Sequence, residues 1–105
     1  MTALPPEIEE KLDEIRALCV KYGVKKLTLF GSAARGEFDP ERSDFDFLIE
    51  FLPGVQLGLK YFEIALKLEE IFGRRVDIVE LEHVRNPYRR ASIEQNPQVP
   101  VYEAA

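Results

Sequence analysis

Cysteine is nearly missing from this chain: Cys19 is the only one in 105 residues. An internal disulfide is therefore excluded. A lone thiol at an apolar-periodic position of a helix reads as a small buried hydrophobe rather than a reactive group. Long apolar runs are missing too. No stretch approaches the ~18 residues that a membrane helix needs, and the acidic start "MTALPPEIEEKLDEIR" has no signal-peptide core. The expectation is a cytoplasmic protein with no membrane attachment. An excess of basic residues is also lacking, since 14 Lys and Arg face 19 Asp and Glu, for a net charge of −5. Direct nucleic-acid binding, which needs a basic face to displace phosphate counterions, is not expected. A nucleotide ligand stays open, because a metal ion can supply the positive charge. The single histidine, His83, lies in the polar stretch "ELEHVRN" and reads as a surface residue.

What is present describes one globular domain over residues 1–105, with 46% apolar and 31% charged residues. "PPEIEEKLDEIRALCVKYG" is amphipathic: Ile8, Leu12, Ile15, Cys19 and Tyr22 recur at helical spacing. Pro5 and Pro6 suit its first turn and Gly23 its C-terminal cap. "VKKLTLF" alternates as a strand that runs into Gly31-Ser32, followed by a short helical turn to about residue 37 and a loop. "DFDFLIEF" is a second strand, ended by Pro53-Gly54. In the helix that follows, Leu57, Tyr61, Ile64, Ala65, Leu68, Ile71 and Phe72 form the apolar stripe, and Gly73 stops it. "RRVDIVEL" is a third strand, and a short helix is expected around residues 87–94. The tail from about residue 95 is either an ordered arm or a loose end. The element order predicts an α/β (α+β) domain with a small sheet.

The second strand poses a chemical question. Alternation puts Phe45, Phe47, Ile49 and Phe51 on one face and Asp44 and Asp46 on the other. Two carboxylates that close repel unless a cation sits between them. Hard divalent cations, Mg²⁺ above all, prefer such oxygen ligands and keep positions open for phosphate. A solvated strand face alternates in the same way, so the pair alone does not decide. Asp77 adds weight, because aspartate is a poor strand residue and stands among apolar neighbours. If its strand lies beside Asp44 and Asp46, the three acids can hold two metal ions of the kind used for phosphoryl transfer. Gly31 would let a ligand approach the backbone, and Ser32 offers a hydroxyl and an N–H at a helix start. The blander alternative is a strand exit with a serine cap. Arg35 could clamp phosphate or pair with an acid, and Ser43 could fix the loop or touch a ligand. Arg74 and Arg75 could reach a triphosphate or simply begin a strand. Arg89 and Arg90 could face a partner or the nucleotide.

Taken together, "LFGSAARGEFDPERSDFDFLIEF" and the later "RRVDIVE" resemble the minimal nucleotidyltransferase family of the DNA polymerase beta superfamily. The match runs through Gly31, Ser32, Ala34, Arg35, Gly36, Ser43, Asp44, Asp46 and Asp77. The resemblance implies the polymerase-beta-like nucleotidyltransferase fold, a small mixed sheet flanked by helices. It implies ATP as substrate, bound through Gly31, Ser32, Arg35 and Ser43. It further implies Mg²⁺, as two ions, on Asp44, Asp46 and Asp77, with Asp77 a ligand or the base on the acceptor hydroxyl. Small stand-alone members are commonly encoded beside a HEPN-domain protein as the antitoxin of a toxin–antitoxin pair, and those that are active transfer AMP to a tyrosine of that toxin, so the resemblance implies a HEPN-domain toxin as partner. At 105 residues the acceptor site is expected to be completed by another protein, in a homo- or hetero-oligomer. Two alternatives remain open: a non-catalytic antitoxin that neutralises its partner by binding, and the catalytic subunit of a split small-molecule nucleotidyltransferase.

Overall fold

A computed structural model of the chain describes residues 4–36, 44–55, 58, 60–95 and 97–104, with Glu82 described by its backbone alone. The chain begins with helices α1 (Pro6–Glu9) and α2 (Leu12–Tyr22), then strands β1 (Val24–Phe30) and β2 (Phe45–Phe51). Helix α3 (Lys60–Phe72) leads into β3 (Val76–Val79), a 3₁₀ turn (Leu81–His83), α4 (Pro87–Gln95) and β4 (Val99–Glu103).

The first amphipathic stretch is two helices, not the single one its periodicity predicts. The turn tightens at its middle, where the Lys11 N–H donates to the Ile8 carbonyl at 3.0 Å, three residues back. The regular ladder resumes with Ile15 N–H to the Lys11 carbonyl at 2.9 Å. Neither glycine nor proline marks the break, so the pattern carried no sign of it. Both segments still bury their apolar side, with Ile8 and Ile15 fully enclosed. The far end is capped as expected. Gly23 has φ +70°, and a β-carbon there would meet Val55 Cγ2 at 2.7 Å. Glycine alone fits both the left-handed backbone and that approach.

The sheet order is β3-β2-β1-β4, with β2 and β3 parallel and the other pairs antiparallel. The mixed sheet and its flanking helices match the fold expected from the resemblance. The tail resolves in favour of order: β4 pairs with β1, Leu29 opposite Val99 and Leu27 opposite Tyr102. Its apolar residues complete the protein's own sheet.

The core lies between the α2/α3 layer and one sheet face. Phe45, Phe47, Leu27, Leu29, Ile64 and Leu68 are enclosed there. Phe72 meets Phe45 edge-on at 4.9 Å between ring centroids and stacks on Phe47 at 6.0 Å. Such pairs add about 0.5–1.5 kcal/mol beyond area burial. The second face is covered as well. Thr28 and Leu48 are buried register partners and line a small recess with Leu81 and Gln98. Among the described residues no helix is long and apolar enough to cross a membrane.

Candidate functional site

Three adjacent strands bring the candidate residues together at one end of the sheet. β1 ends at Phe30, which pairs with Asp46 of β2. Asp46 pairs in turn with Asp77 of β3 in the parallel ladder. Directly opposed residues of a parallel pair point to the same face, and neighbouring strands lie ~4.8 Å apart. The alternate residues go inward: Phe45 opposite Val76 and Phe47 opposite Ile78, all buried. The core therefore fixes the register, since a slip of one residue would turn Asp46 into the phenylalanine layer.

Gly31 closes this end from the β1 side. Its φ is +78°, and a β-carbon built on it would contact the Asp46 carboxylate, lying 3.2 Å from its Cγ. The backbone thus runs against the acid with no room for a side chain. One turn follows, closed by Arg35 N–H to the Gly31 carbonyl at 3.2 Å and Gly36 N–H to the Ala33 carbonyl at 3.4 Å. Ala33 and Ala34 are buried in that turn, which explains why its residues are small. Ser32 sits on the turn, half-buried, and Arg35 is exposed.

Asp44 is exposed just before β2. Ser43, the rest of the loop expected between the first two strands (residues 37–43) and Leu57 fall outside the described residues. Burial, first of all, raises the Asp46 carboxyl above the usual carboxylate range. The like charges of Asp77 and Asp44 push it further the same way, while Arg89 and Arg35 pull it back. Asp46 is thus a carboxylate short of positive charge, and a bound cation would relieve that. Among the described residues, no three His, Cys, Asp or Glu side chains are grouped as a metal-ligand set. The donor chemistry nevertheless fits Mg²⁺ in its usual mode, one or two carboxylates plus substrate phosphate oxygens. The two carboxylates that the sheet sets side by side are Asp46 and Asp77.

Beyond Asp77, past the β3 edge, opens a cleft of about 670 Å³. Tyr61 and Phe62 of α3 line it with Asp77, His83, Asn86 and Arg89. The Tyr61 hydroxyl donates to the Ile78 carbonyl at 2.7 Å, fastening α3 beside Asp77. Burial, then Glu80 and Asp77, raises its pKa. His83 is exposed, as the sequence predicts, and its Nδ1 lies 3.6 Å from Glu80.

The arginines divide. Arg74 Nη2 pairs with Glu7 at 3.1 Å and its guanidinium covers the Phe45 ring at 5.2 Å. It thus ties α1 to the start of β3. Arg90 holds Glu94 and the Leu81 carbonyl. Arg89 lies against a site carboxylate, with Nη2 3.9 Å from Asp77 Oδ2. The sequence leaves Arg89 and Arg90 undistinguished. A readable signal was Asn86-Pro87, an N-cap followed by proline, which fixes where α4 starts and which face Arg89 takes.

The family model described as the nucleotidyltransferase domain matches residues 8–99. A Methanocaldococcus jannaschii protein, named as a candidate protein adenylyltransferase, is 42% identical over 77 residues, 72% of this chain and 76% of that protein. Protein adenylyltransferase MntA of Thermococcus cleftensis is 41% identical over 61 residues, 56% of this chain and 58% of its own length. A solved structure of a candidate minimal nucleotidyltransferase superposes with a TM-score of 0.68 at 33% identity, covering 86% of this chain and 89% of its own. A toxin–antitoxin structure with AMP-PNP superposes with a TM-score of 0.65, covering 89% of this chain and 73% of its own. At 20% identity, that last likeness is one of fold alone.

Proposed function

Because this chain belongs to the nucleotidyltransferase domain family, we propose that it moves AMP from ATP, with Mg²⁺, onto a tyrosine hydroxyl of a partner HEPN toxin. It would thereby act as the antitoxin of a type VII-like pair. The observation that carries the reading is the pairing of Asp46 with Asp77 across β2 and β3, with Gly31 backed onto Asp46. The relatives named as protein adenylyltransferases support adenylyl transfer to protein. The partner reading draws on the name MntA and on toxin–antitoxin structures of the same fold.

In this reading Gly31 and Ser32 take the nucleotide phosphates, the glycine by letting them approach the backbone and the serine through its hydroxyl and N–H. Arg35 and Ser43 complete the phosphate grip. Asp46 and Asp77 would hold Mg²⁺, with Asp44, two residues from Asp46, as a third carboxylate. When bound, Mg²⁺ neutralises phosphate charge and lowers the pKa of the attacking hydroxyl. The acceptor enters from the β3 side, where the cleft meets Asp77. Its hydroxyl oxygen attacks the α-phosphorus, the bond to the β-phosphate oxygen breaks and pyrophosphate leaves. Asp77 takes the hydroxyl proton.

The test is incubation of the purified chain with α-labelled ATP, Mg²⁺ and the HEPN protein encoded beside it. Label should enter the toxin at tyrosine and be lost with Asp44→Asn/Asp46→Asn. An unlabelled toxin, with folded chain and measurable ATP binding, would overturn transfer. Full neutralisation in cells by the double variant at matched levels would favour occlusion instead.

A further inference from the structure

Arg89 occupies an unusual place in the cleft. Its backbone is held firmly: Asn86 Oδ1 accepts the Tyr88 N–H at 2.9 Å and the Arg89 N–H at 3.3 Å, capping α4. The neighbouring Arg90 fastens the same helix to the 3₁₀ turn through the Leu81 carbonyl at 3.2 Å. The Arg89 side chain, by contrast, is held loosely. It stands 3.9 Å from Asp77 Oδ2, beyond hydrogen-bond range, and both side chains are 57% exposed. Such a pair is weak and can exchange partners. The same guanidinium reaches Asp46 electrostatically, where it opposes the charges of Asp77 and Asp44. One cation on a fixed helix therefore serves both carboxylates of the sheet end, from the cleft side.

A guanidinium cannot lose its proton and matches phosphate oxygens as well as carboxylates. We propose that Arg89 is a partner-exchanging residue. In the nucleotide-free protein it provides positive charge beside Asp77 and, with Arg35, beside Asp46. When a divalent cation takes those acids, it turns onto the phosphate oxygens of the nucleoside triphosphate. The inference rests on the nucleotidyl-transfer reading for the identity of the anion, and on the 3.9 Å pair and the α4 cap for the residue. It gives Arg89 opposite effects on two ligands: it competes with the cation and assists the nucleotide. A residue that only holds α4 in place would affect both in the same direction.

The experiment is calorimetric and needs no turnover. Mn²⁺ is titrated into wild type, Arg89→Gln and Arg89→Lys without nucleotide, and a non-hydrolysable ATP analogue is then titrated at saturating Mn²⁺. Removing one charge ~4 Å from a solvated carboxylate should tighten Mn²⁺ about fivefold in Arg89→Gln. The analogue should bind that variant about fivefold or more weakly, and Arg89→Lys should recover part of both effects. Weaker or unchanged Mn²⁺ binding in a folded Arg89→Gln would overturn the exchange. So would unchanged binding of the analogue. Adding Asp46→Asn to Arg89→Gln should abolish the tightened Mn²⁺ site. If Mn²⁺ binding survives that substitution, the cation lies elsewhere, and the metal-site reading of Asp46 falls first, taking the inference with it.

Discussion

Gly31 backs directly onto Asp46: a β-carbon at Gly31 would lie 3.3 Å from the Asp46 Cβ and closer still to its carboxylate. The end of β1 and the acid of β2 therefore form one packed unit, and the turn that starts at Gly31 cannot shift toward β2 without displacing the carboxylate. Gly31→Ala should suffer twice, from the φ of +78° and from displacement of Asp46. A loss of about 1–3 kcal/mol is expected, read as a lower urea midpoint. Adenylyl transfer should fall more steeply than stability, because the displaced group is a proposed metal ligand. Gly36→Ala, at φ +79° and with no atom of the described residues within 4 Å of the added β-carbon, is the matched control for backbone strain.

Asp46 should trade stability for function. Burial and its acidic neighbours raise its pKa, so the folded state holds the proton more tightly than the unfolded chain. The sign follows: the contribution of this one group is fully present at pH below the ordinary carboxylate pKa and is lost as pH rises through the raised value. At neutral pH the ionised group is a net burden. Asp46→Asn should therefore raise the neutral-pH melting temperature. The gain should stay under about 1 kcal/mol, because the site is open to solvent and screened, or a few degrees for a domain of this size. The advantage should narrow toward pH 4, and transfer should drop about a hundredfold or more. Equal melting temperatures at pH 7 would show that the acid cluster is already relieved.

Cys19 should be chemically silent. It is buried against the α2 side of the core, and burial pushes its thiol pKa up to about 12. Thiol reagents at pH 8 should label it only when urea unfolds the chain, at a rate that tracks global opening. Labelling of the native protein would mean that α2 opens locally. Cys19→Ser should cost about 1–3 kcal/mol by burying a hydroxyl.

The C-terminal strand should be needed for folding. Val99 is buried beside Leu29, and the Ala104 N–H donates to the Lys25 carbonyl at 2.8 Å. Deleting residues 99–105 should cost about 3 kcal/mol or more from lost apolar burial. It would also leave β1 with an unpaired edge prone to association. Circular dichroism and light scattering of the truncated chain would show the loss, and a fully folded monomer would contradict it.

Local chemistry made much of this readable in advance. Period-two alternation in "DFDFLIEF" and "RRVDIVEL" separates Asp44, Asp46 and Asp77 from the aromatic layer, because a strand cannot bury both sides of that pattern at similar cost. Gly23 and Gly73 announce helix ends, since each must adopt a positive φ. The break between the first two helices is invisible to periodicity, because the tightening at Glu10–Lys11 is a backbone event with no residue type to mark it. The tail has no readable fate in sequence, because "PQVPVY" has strand propensity but no local partner.

Short-range sterics and hydrophobic spacing suffice to specify most of the elements, the two-faced strands and the small-residue turn. The linear order of residues also carries the family resemblance. Tertiary packing sets β3 parallel to β2 with Asp77 opposite Asp46, closes β4 against β1, and places Arg89 beside Asp77 while Arg74 pairs with Glu7. Those are contacts between residues far apart in the chain. They are fixed when the phenylalanine layer closes beneath α3, and no local pattern encodes which strand that closure places beside which.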